Sequence, residues 1–230
     1  MDSRRPAARV WAAIDDRSRA EGEPISLRLV CAVCADVLRA DGVAVALTSE
    51  RVAYEPVGAS DARIGILSEL QVTLGEGPGL QALADGRPVL VPDLAAADTQ
   101  RRWPLFAPAA VDAGAAAIFA FPLLLGAISV GVLEAGRETP GWLTDRELGD
   151  ALVFTDAALL VQVQGLDERG GRGGEVERWA EVHQATGIVA VQTGTNLTEA
   201  LLRLRAHAYA SDRRLIEVAS DVVARRLRFH

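Results

Sequence analysis

The sequence predicts an α+β architecture: an antiparallel sheet with helices packed on it, followed by an all-α segment of three short helices. Three observations predict it. Apolar periodicity alternates between helix and strand spacing up to residue 165, and it is helical throughout from residue 175. Between the two lies Gly165-Leu-Asp-Glu-Arg-Gly-Gly-Arg-Gly-Gly174. Four glycines in its last five positions favour neither helix nor strand, so it reads as a flexible linker. The expected division is residues 1–165, a glycine-rich linker over 166–174, and residues 175–230.

The elements follow in order. Pro6 to Ala20 has a helical apolar stripe built on Val10, Trp11 and Ile14. Ile25 to Ala40 is a second helix, with Ser26 as N-cap and Asp41-Gly42 as its stop. Val43 to Thr48 and Val52 to Val57 are β-rich runs joined by a short polar turn, a hairpin signature. Ala62 to Gln71 is helical. Leu80 to Ala84 is a short helix opened by Gly77-Pro78 and closed by Asp85-Gly86. Val89 to Val91 is a short strand, and Asp98 to Ala113 a helix. Ala115 to Leu124 and Ala127 to Ala135 are long apolar strands around Gly126. Thr144 to Gln164 is a long helix, with Thr144 as N-cap and Glu147 at the capping-box position. Beyond the linker, Val176 to Gln192, Asn196 to Ala210 and Arg213 to Leu227 have helical spacing. Asn196 is an N-cap and Gly194 a C-cap. Three short helices make a bundle that is marginal alone. Support from dimerisation or from the helix before the linker is expected.

Composition bounds the chemistry. The chain has 230 residues, half of them hydrophobic, a formal charge of −7 and a pI near 5.1. This is enough apolar material for a sizeable core and excludes a disordered or collagen-like chain. All 24 basic residues are arginine, so lysine-based Schiff-base and phosphate-loop chemistry is excluded. The acidic balance argues against a surface that coats nucleic acid everywhere. Local charge is different: residues 1–174 carry −8 and residues 175–230 carry +1. From Ala200 onward seven arginines face three acids, a net +4. All three histidines, His183, His207 and His230, lie in the second segment.

No apolar run reaches the roughly 18–20 residues that span a bilayer without a break. Ala115 to Leu133 contains Pro122, Gly126, Ser129 and Gly131, and reads as two buried strands and a turn. A cytoplasmic location without membrane contact is expected. Cys31 and Cys34 form a CxxC within an amphipathic helix, with no second CxxC or nearby histidine to complete a metal site. They read as two small apolar residues on one helix face or, alternatively, as a redox pair.

Four motifs carry a family resemblance: Leu74-Gly-Glu-Gly-Pro-Gly-Leu-Gln-Ala-Leu83, Gly86-Arg-Pro-Val-Leu-Val-Pro-Asp93, Arg102-Trp-Pro-Leu-Phe-Ala-Pro108 and Phe119-Ala-Phe-Pro-Leu123. With them, and through Pro140 to Ala157, residues 24–163 resemble the GAF sensor domains of actinobacterial regulators. Downstream stand Gln184-Ala-Thr-Gly-Ile188, Ala200, Leu204-Arg-Ala-His-Ala208, Ser211-Asp-Arg-Arg-Leu215 and Val218-Ala219. In order and spacing, residues 177–227 resemble the ANTAR RNA-binding domain. The resemblance implies a signal-responsive transcription antitermination regulator that binds paired RNA hairpins as a homodimer. The apolar faces of residues 6–20 and 144–164 are the candidate dimer surfaces.

The implied RNA-binding residues are Gln184, Thr186, Arg205, His207, Arg213 and Arg214. Arginine suits the role, because its planar fork contacts phosphates and stacks on bases. Arg205 and His207 near the end of the middle helix, with Arg213 and Arg214 at the start of the third, gather cations around one turn. Arg203, Arg225, Arg226 and Arg228 complete the local excess. The other reading is a solvated basic face with helix-dipole pairing. Thr186 stands where the ANTAR pattern usually has lysine, so a cation expected to face RNA is absent.

In the GAF-like half, Gly77 and Gly79 permit close backbone approach or positive φ. The loop they form is either a structural cover on the sheet or a ligand lid. Related sequences often carry cysteine at the position of Gly79, so redox sensing through this loop is disfavoured. Glu76, Trp103, Phe106, Phe119 and Phe121 are the candidate ligand-pocket residues, and the four aromatics read mainly as core. No HExxH, GxSxG or phosphate-loop motif occurs, and adjacent Asp15 and Asp16 point to different sides of a helix. No enzyme activity, metal or cofactor is expected. The alternative function is a non-enzymatic ligand-binding or dimerisation scaffold whose C-terminal bundle does not bind RNA.

Overall fold

The computed structural model describes residues 4–48, 54–167 and 174–230. In chain order the elements are α1 (Arg4–Glu21), α2 (Leu27–Leu38), β1 (Gly42–Leu47), β2 (Glu55–Ala59), α3 (Ala62–Leu74), α4 (Pro78–Asp85) and β3 (Val89–Val91). They continue as α5 (Ala97–Arg102), α6 (Phe106–Asp112), β4 (Ala117–Leu125), β5 (Ile128–Arg137), α7 (Asp145–Asp167), α8 (Gly174–Thr193), α9 (Leu197–Ala210) and α10 (Leu215–Val223). The five strands form one antiparallel sheet in the order β2-β1-β5-β4-β3.

The strand alternation sorts side chains between two layers, because successive residues of a strand point to opposite faces. Val43, Val45, Phe119, Phe121, Leu123, Leu133 and Ala135 bury against α1, α2 and α7, meeting Val10, Ile14, Leu29 and Phe154. The other face carries mostly small residues, Ala44, Ala46 and Ala120, with Ile118 and Val132. These leave room for α3, α4 and α6. The bundle α8–α10 does not stand apart. Its core residues Val182, Leu204, Leu215 and Val218 belong to the same continuous apolar cluster as Ile118 and Leu67, and it seats on α3 and β2. The support that three short helices need is therefore supplied by α3 and the sheet edge.

Local signals act as their chemistry requires. The Ser26 hydroxyl accepts from Leu29 N, and the Asn196 side chain from Glu199 N at 2.9 Å. At α7, Thr144 N donates to the Glu147 carboxylate at 2.7 Å while Glu147 N donates back to the Thr144 hydroxyl at 3.2 Å, a reciprocal capping box. Gly194 takes φ +67° after α8. The expected helix over 98–113 is two helices, α5 and α6. Pro104 lacks an amide hydrogen and forces Trp103 out of the helical region, to φ −132° and ψ 78°. Gly165 lies inside α7 and Gly174 opens α8, so the glycine-rich segment is shorter than expected at both ends; its remainder, 168–173, falls outside the described residues. Val52 and Ala53 of the expected second strand also fall outside them.

The apolar faces of 6–20 and 144–164 are largely spent on each other and on α2. Val10 and Ile14 share one buried cluster with Ala151, Phe154, Ala157 and Ala158. Leu152, Leu160 and Val163 of α7 stay exposed. No helix among the described residues is long and apolar enough to cross a membrane.

Candidate functional site

The turn between α9 and α10 is short, Ser211 to Arg214, and is held by Ser211 Oγ donating to the His207 carbonyl at 2.6 Å. It sets Arg213 and Arg214 at one corner of the bundle, with Arg205 of α9 reaching the same helix, α3, as Arg214; His207 is turned away from them, toward Phe229. That corner faces α3 and α6 across a cleft of about 460 Å³ lined by Leu70, Leu74, Pro108 and Tyr209 with Glu69 and Arg213. The arginines are engaged there. Arg214 Nε donates to Glu69 Oε2 of α3 at 2.9 Å, and a second guanidinium nitrogen bonds the same oxygen. These bonds raise the Arg214 pKa. Arg205 Nε donates to the Thr73 carbonyl at the end of α3, at 3.2 Å. Its guanidinium lies against Gly75, where any side chain would collide with it; burial lowers its pKa. Arg213 bonds Asp221 at 2.7 Å, Arg226 bonds the other Asp221 oxygen at 2.6 Å, and Arg203 pairs with Glu199 at 2.8 Å. Arg213 and Arg226 hold the Asp221 carboxyl below its ordinary value. His207 stacks edge-on against Phe229, 5.4 Å between centroids. Arg225 and Arg228 are exposed.

Gln184 is exposed on α8, but Thr186 is not: it is 5% exposed and its hydroxyl donates to the Val182 carbonyl at 2.7 Å. The position expected to present a cation to RNA points into the bundle core. Helical phase explains this, since Val182, Ala185, Thr186 and Val189 form the inward stripe of α8.

The five expected pocket residues do not converge. Glu76 Oε1 accepts from the amides of Leu105 and Phe106 at 2.6 and 2.8 Å, and so satisfies the start of α6. Trp103 and Phe106 are buried on the α3 side of the sheet, whereas Phe119 and Phe121 are buried on the α1 side. Arg102 lies 4.6 Å over the Trp103 ring, and Arg137 lies 5.5 Å over Phe119.

The α3 side of the sheet instead holds a polar group that sequence reasoning missed. Glu134 of β5 is 1% exposed. It accepts hydrogen bonds from the Tyr54 hydroxyl, from Ser68 Oγ at 3.0 Å and from Gln71 Nε2 at 2.6 Å. Gln71 Oε1 in turn accepts from Gly79 N at 2.7 Å. Burial pushes the Glu134 carboxyl up, with the three hydrogen bonds opposing it. Burial and the neighbouring Glu134 push the Tyr54 phenol up. The Gly77 and Gly79 readings find their reason here. Gly77 sits at φ +142°, and a Cβ on Gly79 would lie 2.5 Å from Glu134 Oε1. Only Gly77 is in the loop, against Gln71; Gly79 is in the first turn of α4, and both are closed onto the network. The only forewarning was a carboxylate within an otherwise apolar strand.

Cys31 and Cys34 are fully buried on α2 among apolar side chains, and burial raises the Cys34 thiol pKa well above its ordinary value. That disfavours the reactive thiolate. No group of three or more metal-ligating side chains occurs among the described residues.

Comparison with known proteins is consistent with this geometry. The GAF domain family matches residues 25–161. Among solved structures, the chain is similar to the GAF domain of an Acinetobacter phosphoenolpyruvate-protein phosphotransferase, at 14% identity and a TM-score of 0.50, covering 71% of this chain and 96% of that one. It is also similar to the GAF domain of a phosphoenolpyruvate-protein phosphotransferase from Coxiella burnetii, at 12% identity and a TM-score of 0.51, covering 70% and 97%. At these identities the likeness is one of fold. No curated protein matches the chain.

Proposed function

The chain belongs to the GAF domain family, and on that footing we propose that it is a non-enzymatic, signal-responsive regulator whose C-terminal bundle binds RNA hairpins and so causes transcription antitermination. The GAF half would receive a small-molecule or protein signal. The observation that carries the RNA reading is the placement of Arg213 and Arg214 at the single turn between α9 and α10, with Arg205 of α9 meeting the same GAF helix, α3, as Arg214. A guanidinium cluster on a helix–helix turn suits phosphate contact and base stacking. The ANTAR resemblance of residues 177–227 supports the same reading. The exposed Leu152, Leu160 and Val163 of α7 support a homodimer that meets paired hairpins with two bundles.

A second reading is favoured by one observation: Arg205, Arg213 and Arg214 all have intramolecular partners. In that case the protein is a ligand-binding or dimerisation scaffold and the arginines are structural. Binding of the purified protein to tandem stem-loop RNA separates the two. The RNA reading expects wild type to bind and an Arg213→Ala, Arg214→Ala variant to lose affinity. Equal behaviour of the two at low salt supports the scaffold.

A further inference from the structure

Glu69 is a carboxylate of the GAF half whose hydrogen bonds, among the described residues, all come from the C-terminal bundle. Two come from the Arg214 guanidinium and a weaker one, at 3.4 Å, from the Ile216 amide at the start of α10. Its side chain is 8% exposed while that of Arg214 is 50% exposed. The anion is thus nearly withdrawn from water and depends on the bundle for its compensation. One helical turn further along α3, the Thr73 carbonyl holds Arg205. This places a second cation over the negative end of the same helix. The lack of a side chain at Gly75 makes the room for it. One GAF helix therefore engages two of the three arginines that would contact RNA, one with a carboxylate and one with a carbonyl.

A guanidinium that forks onto one carboxylate cannot present the same two nitrogens to a phosphate. We propose that α3 is an autoinhibitory clamp: Glu69 occupies the phosphate-binding position of Arg214, and the end of α3 holds Arg205, so that RNA binds only when the corner is released from α3. The proposal rests on the RNA reading above and adds its regulation. The apparent affinity of the resting protein is lowered by the fraction of molecules in which the corner is free. A signal that shifts α3 raises that fraction without touching the bundle. A cleft bounded by Leu70, Leu74 and Pro108 lies beside the clamp, so α3 and the corner are not packed against each other along their whole length.

The test uses the full chain and tandem stem-loop RNA in a direct binding titration at low salt, with melting temperature recorded for every protein. Glu69→Gln keeps the shape and removes the competing charge. Gly75→Asn tolerates the left-handed backbone, φ +74°, and displaces Arg205 from the end of α3. The clamp predicts that each variant binds RNA about tenfold more tightly than wild type, a shift of the size that releasing one charge-assisted contact produces. A merely structural role would lower affinity, not raise it. If wild type binds but both folded variants bind no more tightly, the clamp is overturned and the RNA reading stands. If neither wild type nor the variants bind better than the Arg205→Ala, Arg213→Ala, Arg214→Ala protein, the RNA reading falls and the clamp falls with it. The two substitutions act at different points of α3, so a folding failure in one leaves the other to decide.

Discussion

Gly79 and Glu134 are in contact only because Gly79 has no side chain: a Cβ there would lie 2.5 Å from the Glu134 carboxylate and 2.9 Å from the Tyr54 hydroxyl. The first turn of α4 closes on a carboxylate that is itself inside the fold. Gly79→Ala must therefore move a hydrogen-bonded network. It is expected to cost about 1–3 kcal/mol, the range of overpacking substitutions, read as a lowered denaturation midpoint with unchanged denaturant slope. An unchanged midpoint would mean that the start of α4 is not closed on Glu134.

Glu134 also sets a pH dependence. Its pKa is raised in the folded protein, chiefly by burial. The native state then holds this proton at pH values where the unfolded chain has lost it. The stabilisation is fully present below the ordinary carboxylate pKa and is lost as pH rises through the elevated one. Glu134→Gln removes that dependence. The variant should gain melting temperature relative to wild type as pH is raised across this window. A difference that is flat with pH would show that the carboxyl titrates normally.

Restoring the lysine of the ANTAR pattern should not restore RNA contact. Thr186 is in the bundle core with its hydroxyl bonded to the Val182 carbonyl. Thr186→Lys places an unpaired ammonium there and is expected to destabilise the bundle by about 3 kcal/mol or more. Far-ultraviolet circular dichroism on heating checks this. A variant as stable as wild type with tighter RNA binding would show that the position faces outward.

How much of this was legible depends on the range of each interaction. The caps at Ser26, Thr144 and Asn196 use partners three residues away, and a sequence read in order contains both members. The arginine corner was legible for the same reason, since one short turn gathers it. Its acceptor was not: Glu69 lies 145 residues before Arg214, and no local pattern pairs them. The Glu134 network draws on Tyr54, Ser68 and Gln71, which are 63 to 80 residues away. The five pocket residues were chosen by side-chain type. Strand alternation placed Phe119 and Phe121 on one face, but only the helix packing shows that Trp103 and Phe106 lie on the other. Thr186 was misplaced because the phase of α8 is fixed by its packing in the bundle, not by the motif around it.

The most direct measurement of the central claim is the salt dependence of tandem stem-loop RNA binding by wild type and by the Arg205→Ala, Arg213→Ala, Arg214→Ala protein. Each phosphate contact contributes a slope of about 0.7–0.9 in log affinity against log salt. Wild type should bind with a steep slope, and the variant should lose both affinity and about two slope units or more, as expected for three removed contacts. Equal affinity and equal slope for the two proteins would contradict the claim that this corner binds RNA.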